Sequence, residues 1–279
     1  QVGRVNKYTA YALLGKVLLY QDKFADAASA FDNVIGVYSL VPDYGSQFLR
    51  FGENGPESVF EIQYSNQSNW YDWGCAHCSE GNYAIIMNGP RGWSGPEYAQ
   101  GWSFNVPTAE FYNSFEDGDS RRDATVLDIE AFASATGASY TEGYDHTGYF
   151  NNKYIPRAGE SGGQTELNYL TNFRIIRYSD VLLMAAEAYN RGGIDDGLAQ
   201  EFLNQVRRRA FGDDNHDISA SGTALTDAIW EERKFELSLE GHRFFDLVRT
   251  GRASALIPGF TEGKHEVFPI PQQEVDISG

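Results

Sequence analysis

Four of the five tryptophans of this 279-residue chain, Trp70, Trp73, Trp93 and Trp102, fall within one 33-residue stretch, together with Tyr71, Tyr83 and Tyr98, and Phe104 follows just after it. The stretch is built from Gly, Asn, Ser and Pro rather than from helix formers. An indole or phenol face can stack on the apolar C–H face of a sugar ring, while Asn, Gln, Asp and Arg side chains pair with its hydroxyls. The candidate contacts are Trp70, Tyr71, Trp73, Trp93 and Tyr98 as platforms, with Asn69, Asp72 and Arg91 as polar partners. Asn66, Gln67, Asn82 and Asn88 lie close in sequence, and Tyr140, Tyr144, His146 and Tyr149 could extend the same face. The competing reading is a satellite core packed under a long loop. Trp102 leans that way because it immediately precedes the packing segment 104–115, and Tyr83 leans with it.

Other chemistry is poorly supported. Cys75 and Cys78, with His77 between them, read as a local disulfide or two inert thiols. Redox catalysis would need a thiol at a helix N-terminus, and zinc would need a fourth ligand; no metal is expected. Glu232, Glu236 and Glu240 recur every fourth residue. Such carboxylates can split their pKa values for acid–base work, but Arg207, Arg208 and Arg209 on the preceding helix make an ion-pair network the better reading. Glycan hydrolysis needs two carboxylates flanking a cleft, and Asp72 and Glu80 are the nearest candidates in the aromatic stretch. No glycine-rich phosphate loop joins a strand to a helix, so no nucleotide cofactor is expected.

Thirty-nine acidic against 22 basic residues give a net charge of −17, which repels nucleic acid and anionic lipid. No apolar run approaches the length of a membrane span; the longest, such as residues 181–186, are short.

Helical periodicity marks the elements that would carry the loop. Residues 8–20 and 24–37 form a helix pair in which Gly15, Ala27 and Phe31 have the small-to-large spacing of a tetratricopeptide repeat. Residues 178–190 and 198–210 repeat nearly the same offsets. A third helix is expected from Thr226, as N-cap, through Glu240 to a bend at Gly241, with Leu225 and Trp230 as a hydrophobic staple. Residues 58–65 alternate as a half-buried strand, 107–115 suggest a short helix, and 124–129 and 148–154 suggest small strands. Val267-Phe268-Pro269-Ile270-Pro271 must be extended.

Several segments together resemble the SusD/RagB family of Bacteroidetes outer-membrane nutrient-binding lipoproteins. They are Glu231-Glu232-Arg233-Lys234-Phe235-Glu236-Leu237-Ser238-Leu239-Glu240-Gly241-His242-Arg243-Phe244-Phe245-Asp246-Leu247-Val248-Arg249, then Leu203-Asn204-Gln205-Val206-Arg207-Arg208-Arg209-Ala210, and Phe268-Pro269-Ile270-Pro271. The helix pair around residues 11–31 and the turn at 115–122 fit as well.

The resemblance implies a mostly α, SusD-like fold with tetratricopeptide-like helix pairs and an irregular, loop-rich ligand-facing part containing short strands. Residues 1–279 would then be one SusD-like C-terminal region. Within it, 5–40 would be the first helix pair, 57–165 the aromatic insertion, 172–252 the second pair plus signature helix, and 253–279 an extended end.

It also implies a non-catalytic role: binding oligosaccharide or polysaccharide at the outward-facing surface of the outer membrane and delivering it to a SusC-type TonB-dependent transporter. A lipid anchor outside this chain would hold the protein there. Two alternatives stay open, a RagB-like peptide-binding uptake component and a tetratricopeptide-like protein scaffold.

Overall fold

The computed structural model describes residues 2–67, 73–162 and 165–278, with backbone alone at 76, 77 and 165. The chain divides into two compact units, Gln1–Leu239 and Glu240–Gly279.

In the first unit, α1 (Lys7–Tyr20) begins where the Asn6 side chain accepts the N–H groups of Tyr8 and Thr9 at 2.8 and 3.0 Å. That satisfies donors which the first turn leaves free. α2 (Phe24–Asp32) packs against it. Gly15 is the contact point: a Cβ there would lie 2.5 Å from the Phe31 ring, so only glycine lets Phe31 close against α1. The second helix is shorter than its periodicity predicts. It ends at Asp32 rather than Val37, and Gly36 follows in the left-handed region (φ 77°) with its N–H donated to Tyr178 Oη.

Along the chain come β1 (Ser58–Ile62), α3 (Ala84–Asn88), β2 (Arg91–Ser94), α4 (Ala109–Asn113), α5 (Arg121–Thr125), β3 (Val126–Asp128), α6 (Ile129–Thr136), β4 (Ser139–Thr141), β5 (Tyr149–Asn151) and β6 (Phe173–Arg177). The strands form three antiparallel pairs, β1 with β6, β2 with β4 and β3 with β5. In the last, Leu127 faces Phe150.

α7 (Tyr178–Arg191) is buried from Tyr178 to Asn190 and packs on α1, α2, α8 (Asp196–Phe211) and α9 (Gly222–Glu236). The two helix pairs therefore stack, although most of the chain's irregular structure lies between them. A helix buried on nearly every side must have its polar side chains paired, and those of α7 are. Asp180 meets Arg233 at 2.7 Å, and Asn190 donates to Asp196 at 2.6 Å.

The third helix differs from its expected boundaries at both ends. α9 starts after Ser221, so Thr226 lies within it, buried, with its hydroxyl on Asn190 rather than on the helix's free N–H groups. Trp230 carries the Arg191 guanidinium over its ring at 5.7 Å. The helix stops at Glu236, and Leu239 adopts φ 63°. Glu240 thus lies off the helix that carries Glu232 and Glu236.

Those two glutamates anchor a buried ionic network. Arg121 reaches Glu232 at 2.5 Å, Glu236 at 3.1 Å and Asp119 at 2.7 Å, while Arg207 holds the other Glu232 oxygen at 2.8 Å. Glu236 also receives Arg177 at 2.9 Å and Arg209 at 2.6 Å, and both arginines bind Glu57. Arg208 turns away to Asp217 and Glu201.

The second unit contains α10 (Arg243–Arg249), α11 (Ala253–Leu256) and α12 (Gln272–Ser278). Phe244 lies against Phe245 and Phe260, and Phe260 against His265. The segment through Phe268 and Pro269 carries no regular structure before α12.

Candidate functional site

The aromatic stretch is fastened to the unit by its flanks. Ser65 donates its N–H to the Glu80 carbonyl at 2.9 Å, and Ser79 donates its hydroxyl to the Leu167 carbonyl at 2.7 Å. Gly81 lies so close to Asn168 that a Cβ would sit 2.4 Å from its Cα. Asn82 is buried, donating to Thr171 O at 2.9 Å, and Asn88 donates to Tyr154 O at 3.0 Å. These two amides therefore hold backbone rather than face outward.

Between those anchors, residues 73–78 make a short 3₁₀ segment kinked at Cys75, which is joined to Cys78 by a disulfide with Cα atoms 5.3 Å apart. Trp73 opens the segment with half its surface exposed. One face of its indole stacks on Trp102 (centroids 5.5 Å, interplanar angle 27°), and its Nε1 donates to Glu166 Oε2 at 3.0 Å. Trp102 is half-buried and rests on an interior cluster containing Tyr44, Phe48, Ile85, Ile86, Tyr154 and Tyr169.

The run from Gly101 to Phe104 is hydrogen-bonded along residues 86–90, with Gly101 to Pro90, Trp102 to Ile86, Ser103 to Gly89 and Phe104 to Met87, each at 2.8 Å. A Cβ on Gly101 would overlap Gly89, so the two glycines permit this crossing. Phe104 is half-exposed under the Arg91 guanidinium at 5.7 Å. Gly143 abuts Ser103 and precedes Tyr144, which is 91% exposed. Trp73 thus stacks on Trp102, Phe104 two residues on meets Arg91, and Ser103 between them abuts Gly143.

The remaining candidates separate from that group. Trp93 and Tyr98 are 9% and 5% exposed, in a cluster with Leu127, Ile129, Phe150 and Ile155. Phe132 of α6 meets both rings, at 5.9 and 5.1 Å. Their geometry is that of a satellite core, and burial pushes the Tyr98 hydroxyl up to about 12. Asn69, Trp70, Tyr71 and Asp72 lie outside the described residues. Glu166 stands 93 residues beyond Trp73, and no local sequence signal marks it as a partner of that ring. Tyr144 was legible only as a possible extension.

No cluster of His, Cys, Asp or Glu suited to a metal occurs among the described residues. Desolvation would raise the Glu236 carboxyl, but Arg209, Arg177, Arg121 and Lys153 together hold it well below the usual carboxylate range. It is a fixed anion rather than a proton carrier.

Residues 129–267 match the SusD family. A laminarin-binding SusD-like protein of known structure is 40% identical with a TM-score of 0.87, over 99% of this chain and 61% of that one. Surface glycan-binding protein A from Bacteroides thetaiotaomicron, solved in complex with laminarihexaose, is 33% identical with a TM-score of 0.90, over 100% of this chain and 63% of its own. SusD-like protein P2 of Formosa agariphila is 29% identical over 97% of this chain and 57% of its own length. The chain therefore spans about three-fifths of these relatives. In sequence and in fold, the chain belongs to the SusD family.

Proposed function

We propose that this chain binds a β-glucan oligosaccharide of the laminarin type without transforming it, using the outer face of Trp73 as its principal platform. The observation that carries the reading is the Trp73 ring itself, half-exposed, backed by Trp102 and tethered to Glu166. Carbon–carbon contact takes roughly 3.5–4 Å per face, so a sugar ring inserted between two indoles needs about 7–8 Å. The 5.5 Å stack is too close for that. The sugar must therefore lie on the face of Trp73 turned away from Trp102, with the second carboxylate oxygen of Glu166 beside the ring to meet a hydroxyl. Relatives that bind laminarin and laminarihexaose support that ligand class. Glu232 and Glu236 are spent on ion pairs with Arg121 and Arg209, which supports binding over hydrolysis.

In the same reading the chain works at the outward-facing surface of the outer membrane, held by a lipid anchor outside these residues, and feeds a SusC-type TonB-dependent transporter. The stacked helix pairs, within 5–40 and 172–252, would support assembly with the transporter, and 57–165 would face the ligand. Among the described residues no helix is long and apolar enough to cross a membrane, which accords with peripheral attachment.

Isothermal titration with laminarihexaose, maltohexaose and cellohexaose tests the ligand class. Laminarihexaose should bind, and Trp73→Ala should abolish its heat. Binding of none of the three, or an unaltered Trp73→Ala isotherm, would overturn the reading.

A further inference from the structure

We infer that Phe104, with the Arg91 guanidinium beside it, is a second contact for the oligosaccharide, taking rings of the same sugar chain beyond the one on Trp73. The inference rests on the proposed platform role of Trp73 and extends that site by one ring and one cation.

A single exposed phenylalanine needs no explanation. The backbone that presents this one does. Ser103 and Asn105, on either side of Phe104, both lie in the left-handed region, at φ 58° and 53°. Asparagine tolerates that conformation, whereas serine carries its steric cost. Four hydrogen bonds hold the run there. The N–H groups of Ser103 and Phe104 donate to Gly89 O and Met87 O at 2.8 Å, Ser103 Oγ accepts the Arg91 N–H at 3.1 Å, and Asn105 Nδ2 donates to Asn88 Oδ1 at 3.3 Å. Strain of this kind persists only where the surroundings over-determine it, and it collects at ligand clamps. What it holds out here is an apolar ring half-open to solvent.

That ring adjoins the Trp73 platform through the chain itself. Ser103 is buried, while Trp102 before it and Phe104 after it both keep open surface. Successive Cα atoms are about 3.8 Å apart, so those of Trp102 and Phe104 are separated by about 7.6 Å at most. Trp102 is the ring on which Trp73 stacks, at 5.5 Å. An oligosaccharide of several rings outspans that interval.

Arg91 supplies the polar half of the contact. Its guanidinium lies 5.7 Å from the centre of the Phe104 ring, within cation–π reach. Among the described residues it has no carboxylate or carbonyl partner, in a chain with 39 acidic residues against 22 basic. Its N–H donors are therefore available to sugar hydroxyls, next to a ring that offers apolar surface to the sugar's C–H groups.

Hydroxyl-radical footprinting of wild type, read residue by residue by mass spectrometry with and without laminarihexaose, tests the contact directly. The hexasaccharide should lower oxidation of Phe104 together with that of Trp73. In titrations, Phe104→Ala should bind it about three- to tenfold more weakly, the size of one aromatic contact, and Phe104→Tyr should stay near wild type. Arg91→Ala should lose about two- to fivefold, the size of one modest hydrogen bond. Both side chains are exposed, so the urea midpoints of these variants should hardly move. Protection of Trp73 without Phe104, or an affinity of Phe104→Ala within twofold of wild type, overturns the inference and leaves the platform standing. Protection of Phe104 without Trp73 removes the platform and leaves the second contact. Protection of neither ring removes the ligand assignment and the inference with it.

Discussion

The indole N–H of Trp73 points at Oε2 of Glu166 across 3.0 Å, joining two irregular segments that are 93 residues apart. One carboxylate oxygen is engaged in turning the ring, and the other is available to a ligand hydroxyl. A carboxylate accepts more hydrogen bonds than the single one drawn by the indole. Glu166→Ala should therefore weaken laminarihexaose binding by about two- to fivefold, the range of one modest hydrogen bond, with little change in thermal stability. Glu166→Gln keeps an acceptor and should recover part of the loss. Titration calorimetry beside a melting curve distinguishes these outcomes, and full affinity in Glu166→Ala would remove the carboxylate from the site.

Trp93 offers the opposite expectation. It is 9% exposed and packed against Tyr98 and Phe132. Removing so large a buried ring costs about 3–5 kcal/mol. Trp93→Ala should consequently lower the urea midpoint steeply, and the fraction that remains folded should bind with wild-type affinity. Trp73→Ala should do the reverse, losing binding while barely moving the midpoint.

The contrast shows what the sequence could carry. Helix pairs were legible because their determinants are local: Gly15 and Phe31 lie within one hairpin, and the offsets around Ala185 and Phe202 repeat them. The aromatic stretch was legible as a whole but not ring by ring. Trp93 packs in a cluster with Phe132 of α6 and Phe150 of β5, and Trp102 in one with Ile86 of α3 and Tyr154, partners from other elements with no signature beside either tryptophan. Thr226 has the chemistry of an N-cap, but its hydroxyl was claimed by Asn190 from another helix. Arg121 and Arg177 were invisible as partners of the Glu232 and Glu236 ladder for the same reason.

Gly15 supplies a packing prediction. Alanine is the better helix former by roughly 1 kcal/mol, but its methyl would lie 2.5 Å from the Phe31 ring, which is fully buried and has nowhere to retreat. Overpacking typically costs about 1–3 kcal/mol, so the steric effect should win. Gly15→Ala should be destabilised despite its propensity, and Gly15→Ala with Phe31→Leu should regain part of the loss in urea unfolding. A stabilised Gly15→Ala would show that α1 and α2 separate freely.

Glu236 sets the acid limit of the fold. It accepts Arg209 at 2.6 Å and Arg177 at 2.9 Å in a site closed to water, and its carboxyl is held well below the usual range. Glu236→Gln would leave those guanidinium groups buried without their shared anion, a loss of about 3–5 kcal/mol at neutral pH. The sign of the pH dependence follows from the lowered folded-state value. Its stabilising contribution is complete above the unfolded carboxylate pKa of about 4.3 and is lost as pH falls towards the depressed value of the folded protein. The stability gap between wild type and Glu236→Gln should thus be constant from neutral pH down to about 5, above that unfolded value, and narrow only in stronger acid. Urea titrations at a series of pH values measure that gap directly. A gap that instead widened on acidification would mean that Glu236 enters the folded state protonated, and that Arg177 and Arg209 are balanced by Glu57 without it.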